Sequence, residues 1–207
     1  MTGLFLTLEG GDAAGKTTQA QALEGWLTGL GRRVLRTREP GGTDLGVGIR
    51  DLVLHRAGPV TPRAEALLYA ADRAHHVATV VRPALERGDV VVQDRYLDSS
   101  VAYQGAGRVL DPDDIRRLSL WAVEDLLPDL TVLLDVDPAL ARDRRSGRQQ
   151  YDRLEAEHDT FHERVRRAYL AIAEAEPGRI LVLDGALPPD ELQARIRRAL
   201  TPLLESR

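Results

Sequence analysis

Short, β-branched apolar runs alternate with longer stretches of helical periodicity along this chain. The runs are Leu4–Leu8, Val34–Thr37, Val90–Val92, Leu130–Val136 and Ile180–Leu183. Helical patterns separate them over Gly15–Leu30, Thr61–Glu86, Pro112–Leu126, Pro138–Arg144, Thr160–Glu174 and Pro188–Leu204. In the first of these, Ala20, Leu23, Leu27 and Leu30 recur at helical spacing. Pro62, Pro112, Pro138 and Pro189 stand where a helix should begin, because a first-turn residue does not need its N–H. Strands alternating with helices predict an α/β fold with a doubly wound, five-stranded parallel sheet and helices on both faces. No repeat, low-complexity tract or long linker interrupts the pattern, so residues 1–207 are expected to form one domain. Ligands of such sheets bind beyond the carboxyl ends of the strands. That singles out Asp12, Glu39-Pro40-Gly41, Asp94-Arg95-Tyr96 and the segment after Asp135.

The clearest chemistry follows the first strand. Leu4–Leu8 ends at Glu9, and Gly10-Gly11-Asp12-Ala13-Ala14-Gly15-Lys16-Thr17 matches G-x-x-x-x-G-K-T before a helix. Strand, glycine loop and helix aim backbone N–H groups and a helix N-terminus at a polyphosphate. Lys16 is the only lysine of the chain, and every other cationic side chain is an arginine. A compact ammonium suits the position between the β- and γ-phosphates. The loop and Thr18 are therefore expected to bind a nucleotide polyphosphate, with the Thr17 hydroxyl on Mg²⁺. A second metal contact is expected from a carboxylate at a neighbouring strand end, Asp94 or Asp135. Asp135 reads as a structural carboxylate capping the helix that begins near Pro138, so Asp94 takes the metal role, directly or through water. Asp94 also adjoins Arg95, so one strand end offers a metal carboxylate and a phosphate-binding guanidinium.

Composition narrows the classes. The net charge of −4 argues against a general nucleic-acid binder. The chain has no cysteine, which excludes disulfides and thiolate metal sites. It also has no asparagine, which removes N-glycosylation and the N-K-x-D guanine-reading motif. The first apolar run is too short for a signal segment or a membrane span, so the expected location is the cytoplasm, with no membrane partner. The five histidines show no metal-ligand spacing, and His75 and His76 fall on different helix faces.

A second constellation concerns the acceptor. Arg38-Glu39-Pro40-Gly41-Gly42-Thr43 ends the second strand with a tight turn, and Arg50 follows a turn or two into the next helix. Tyr69 and Arg73 are four apart and share a helix face, a π surface beside a planar donor. Asp94-Arg95-Tyr96 leads through Ser99 and Ser100 to Tyr103-Gln104. With the Gly10–Thr17 loop, Tyr69–Arg73 and Asp152-Arg153-Leu154-Glu155, these segments resemble the thymidylate kinase family over most of the chain.

That resemblance implies a P-loop nucleotide kinase with a lid at about residues 142–155, transferring the γ-phosphoryl group of ATP to dTMP. Asp12 should approach the deoxyribose 3′-hydroxyl. Arg95, with Arg38 or Arg50, should hold the acceptor phosphate beside Glu39. Tyr69 should stack on thymine, and Arg73 should donate to a thymine carbonyl. Ser100 and Gln104 should address the rest of the base edge, and Tyr103 should crowd the 2′ position. Asp184-Gly185-Ala186 should border the adenine. The family is usually homodimeric, with apolar helix surfaces between Leu45 and Glu86 as the expected seam.

Arg142, Arg144, Arg145, Arg148 and Arg153 surround Ser146-Gly147 in the lid. The loop positions Gly11–Ala14 carry no cation, so the chain looks like the family group with catalytic arginines in the lid. Arg148 and Arg153 are the expected catalytic candidates beside Lys16 and Arg95. Asp152 and Glu155 are expected to orient Arg153, and Arg144 and Arg145 to anchor the lid. Two rivals remain open: a kinase of a deoxynucleoside or of dUMP, and a P-loop ATPase switch or binding module without a small acceptor.

Overall fold

A computed structural model describes residues 3–56, 58–146 and 151–207. Five strands, β1 (Leu4–Glu9), β2 (Val34–Arg38), β3 (Val90–Asp94), β4 (Leu130–Asp135) and β5 (Ile180–Asp184), form one sheet in the order β2-β3-β1-β4-β5. Every pairing is parallel. β1 is central, with β3 and β4 as neighbours, so connections leave it toward both edges and a crevice opens at its carboxyl end.

Both faces of the sheet are covered. Leu4, Leu6 and Leu8 of β1, with Val90, Val92, Val132 and Leu134, pack against Ala20, Leu23 and Leu27 of α1 (Lys16–Gly29) and Ile196 and Leu200 of the C-terminal helix. The opposite face carries Phe5 and Val91 beneath Val77, Val81 and Tyr96, and Leu133 beneath Val165 and Tyr169. This double coverage explains why the strands read as apolar runs.

The sequence pattern located the strands to within two residues and missed details of the helices. α2 (Asp44–Arg50) continues into a π-helical turn (Asp51–His55). The expected Thr61–Glu86 helix is α3 (Pro62–His76), a π-helical turn (Val77–Val81) and α4 (Arg82–Glu86). α5 (Leu97–Ser100) also runs into a π-helical segment (Val101–Gly107), which no apolar period announced. The rest are α6 (Pro112–Ala122), α7 (Pro138–Arg145), α8 (Asp159–Ala175) and α9 (Pro189–Glu205). Pro62, Pro112, Pro138 and Pro189 all stand in the first turn of their helices. The cap of α7 is Asp137, whose side chain accepts from Ala139 N at 2.9 Å. Asp135 is structural in another way, held by Arg166 through two bonds of 2.7 and 2.9 Å.

Candidate active site

The glycine loop bends where β1 ends. Gly10 has φ +132°, and a Cβ there would run into the Leu134 carbonyl oxygen, so β4 leaves room for no side chain. Gly15, at φ 95°, opens α1 with no side-chain cap and no acid in the first turn. The first N–H groups of that helix therefore face the cleft with the positive end of the helix dipole behind them. Lys16 is buried, and its ammonium donates to Gly10 O at 3.0 Å and Gly11 O at 2.7 Å. Burial, then the neighbouring Arg95, lowers its pKa to about 8. Ala13 departs from easy backbone geometry, with φ 59°.

Thr17 and Asp94 meet beside the loop, the hydroxyl donating to Asp94 Oδ2 at 3.3 Å. Asp94 Oδ1 is buried without a hydrogen-bond partner. A hydroxyl and an unsatisfied carboxylate oxygen next to a phosphate loop suit a hard divalent cation that takes its other ligands from phosphate and water. No cluster of three histidine, cysteine or acidic side chains among the described residues makes an all-protein metal site.

The cleft expected to take the donor has a volume of about 420 Å³ and runs along Ala13–Thr18 to Arg38 and Arg144. Behind it lies a smaller cavity of about 80 Å³ lined by Tyr69, Arg73, Ser100, Tyr103 and Gln104. Asp12, Glu39, Arg50, Arg95 and Asp152 line both, so the two spaces meet at a wall carrying two arginines. Arg95 has a left-handed backbone, φ 66°, and its guanidinium bonds Asp12 Oδ1 at 2.5 Å, Gly10 O at 3.1 Å and Tyr103 Oη at 3.2 Å. It lies 4.9 Å over the Tyr103 ring, and Tyr103 Oη donates to Asp12 Oδ2 at 3.2 Å. Arg50 donates to Pro40 O at 3.1 Å across the turn that follows the cis Glu39–Pro40 bond.

The smaller cavity is built from buried ion pairs. Arg73 is 2 % exposed; it donates to Glu39 Oε2 at 2.7 Å, Ser100 Oγ at 3.0 Å and Tyr96 O at 3.0 Å. His76 shares Glu39 from the other side, 2.9 Å from Oε1, and reaches Thr37 Oγ1 at 2.7 Å. Gly42 is required here, because a Cβ would collide with His76 Nε2. Asp72 accepts from Gly41 N at 3.2 Å, and burial, then Glu39, raises its carboxyl to about 6.

Several residues of this centre were not singled out by the sequence. Glu9 is fully buried and accepts from Tyr96 N at 2.7 Å, Ser99 Oγ at 2.6 Å and Tyr169 Oη at 2.9 Å. Its carboxyl is pushed up by burial and then by Asp98. An acid closing a buried strand was the available signal for Glu9. Tyr169 had none, since it repeats with Phe161 and Val165 as an ordinary apolar stripe of α8. Glu65 could have been found from its spacing, because Glu65, Tyr69, Asp72, Arg73 and His76 mark one buried face of α3.

The lid arginines divide. Arg144 donates to Gly185 O at 3.0 Å and Ala13 O at 3.4 Å, tying α7 to the loop and to the turn after β5. Arg148 lies outside the described residues, as do its neighbours 147 and 149–150 and the side chain of Arg145. Arg153 points away from the donor cleft, donating to Val53 O at 2.8 Å and pairing with Glu65. Asp152 and Glu155 do not hold its guanidinium. Asp152 Oδ1 accepts from Leu154 N and Glu155 N at 2.9 Å, and Glu155 accepts from Asp152 N at 3.2 Å. The two carboxylates thus shape the backbone turn, as in a capping box.

Comparison with known proteins agrees with this geometry. The thymidylate kinase family model matches residues 8–196. The chain is 71% identical to a thymidylate kinase of Leifsonia xyli over 196 residues, 94% of this chain and 93% of the other. It is 53% identical to one from Deinococcus radiodurans over 199 residues, 96% and 97% of the two chains. A crystal structure of thymidylate kinase from Ehrlichia chaffeensis superposes with a TM-score of 0.79 at 30% identity, covering 97% of this chain and all of that one. The phosphate loop, the paired cavities and these likenesses together make the chain a phosphotransferase that belongs to the thymidylate kinase family.

Proposed function

We propose that this chain transfers the γ-phosphoryl group of ATP to dTMP, giving dTDP and ADP. The observation that carries this reading is the shared wall of the two cavities, where Arg50 and Arg95 stand between a phosphate loop and a pocket of base size. A nucleoside acceptor would have no use for two guanidiniums at that wall.

In this mechanism the loop N–H groups and Lys16 hold the donor polyphosphate. Thr17 and Asp94 hold Mg²⁺, which when bound neutralises charge on the donor phosphates. Arg95, Arg50 and Arg38 hold the acceptor phosphate so that one of its oxygens faces the γ-phosphorus in line. Tyr69 stacks on the base, while Arg73, Ser100 and Gln104 read its edge. Asp12 and Tyr103 face the sugar. No protein nucleophile or strong general base is required, since catalysis rests on positioning and charge. Arg148 is the proposed lid cation, and Arg144, which already lines the donor cleft, joins it, whereas the expected role of Arg153 gives way to its hold on Val53 O and Glu65.

The working unit is residues 1–207 as one domain acting in the cytoplasm, where ATP is the donor. Leu45, Val47, Leu52 and Leu67 are exposed on α2, its π-helical extension and α3, which supports a homodimer through that surface. A coupled ADP-release assay across dTMP, dUMP, dGMP and thymidine tests the function. The expected result is the highest kcat/KM with dTMP. Preference for thymidine, or ATP turnover indifferent to all four, would refute it.

A further inference from the structure

Glu65 is completely buried on α3, one helical turn before Tyr69 and two before Arg73. It is absent from the lining of the acceptor cavity, so it acts on a ligand only through its neighbours. Its carboxylate gathers three side chains from two segments, the Val101–Gly107 turn with its cap Arg108 and the stretch after α7. Gln104 Nε2 donates to Oε1 at 2.9 Å, Arg108 Nε sits 3.2 and 3.3 Å from the two oxygens, and Arg153 pairs with Oε2. A carboxylate held by two guanidiniums can only accept hydrogen bonds. The amide nitrogen of Gln104 must therefore face Glu65. Oε1 is then the amide atom left for the cavity, which Gln104 lines.

We propose that Glu65 is a positioning residue that locks Gln104 as an acceptor and so selects a base with a ring N–H at that edge. Thymine and uracil offer such an N–H. Cytosine presents a bare ring nitrogen there, and two acceptors would face each other in a pocket without room for relaxation. This rests on the placement of the base in the Tyr69–Arg73–Gln104 cavity. Two cationic partners keep Glu65 in place while a ligand enters, so the amide cannot turn to suit the wrong base.

Glu65→Gln tests the lock, because the introduced amide can donate to Gln104 Oε1 and so lets the Gln104 side chain turn. The kcat/KM ratio of dTMP over dCMP is expected to fall at least about tenfold, mainly through KM, with kcat at saturating dTMP changing less. Arg108→Ala removes a partner of Glu65 without touching its bond to Gln104, and it should keep the ratio. An unchanged ratio in folded Glu65→Gln, or an equal fall in Arg108→Ala, overturns the proposal. If wild type itself fails to prefer dTMP to dCMP, the base placement fails instead. Should Glu65→Gln not fold, wild-type protein still decides by ¹⁵N NMR of the Gln104 side-chain amide. Slow exchange before ligand and little shift on adding dTMP support the lock. A large shift, as the N–H groups bond to the base, overturns it.

Discussion

The donor loop and the acceptor cavity sit side by side, yet they are built in opposite ways. The donor loop is one contiguous segment, Gly10–Thr17. Its cation bonds the carbonyls of its own loop, and its helix end is open to the cleft. The acceptor cavity draws side chains from α3, the turn after β2 and the segment after β3, and the same groups hold those elements together. In the first region function can be removed with little harm to the fold. In the second, the groups proposed to read the acceptor also serve as core.

Arg73→Ala should break this contrast most visibly if it is wrong. It leaves buried Glu39 with His76 as its remaining side-chain partner, and removing one partner of a buried ion pair costs about 3–5 kcal/mol. Chemical denaturation should show that loss together with lost activity. Wild-type stability would mean that the cavity is not part of the core. Lys16→Ala is the opposite case. It should lower turnover by about 10²–10³, the range for a removed transition-state donor, with a thermal midpoint close to wild type. A loss of stability comparable to that of Arg73→Ala would erase the distinction.

Asp72 sharpens the comparison through pH. Its carboxyl is raised from 3.8 to about 6, so the folded state prefers the protonated form. Its contribution to stability is full below about 3.8 and is lost as pH rises through about 6. Asp72→Asn keeps the oxygen that accepts from Gly41 and removes the charge. Its thermal midpoint relative to wild type should rise between about pH 4 and 7, whereas a pH-independent difference would contradict the assignment.

The smallest effect belongs to the loop. Ala13 holds φ 59°, a region that costs an L-residue about 1–2 kcal/mol and a glycine almost nothing. The added freedom of the unfolded chain offsets part of that gain. Ala13→Gly should therefore stabilise by up to about 1 kcal/mol. Destabilisation would show that the Ala13 methyl makes a contact worth more than the strain.

The same contrast explains what the sequence revealed. The loop and the sheet were legible because both are local: a motif of fixed spacing, and apolar runs separated by helical periods. Tyr69 and Arg73 were legible as neighbours on one helix face, but their convergence with Glu39, Ser100 and Gln104 depends on contacts 27 to 39 residues apart. Resemblance supplied that convergence, because periodicity carries no long-range pairing. Arg153 misled for the same reason. Its sequence neighbours Asp152 and Glu155 suggested a local ion pair, while its partner Glu65 lies 88 residues away.

The most direct test of the divided site is calorimetry of dTMP and Mg²⁺-free ATP on wild type and Lys16→Ala. The account predicts that Lys16→Ala binds dTMP within about threefold of wild type, while its affinity for ATP falls at least about tenfold. Loss of dTMP binding in a folded Lys16→Ala protein, or ATP affinity equal to wild type, would contradict the separation of donor loop from acceptor cavity.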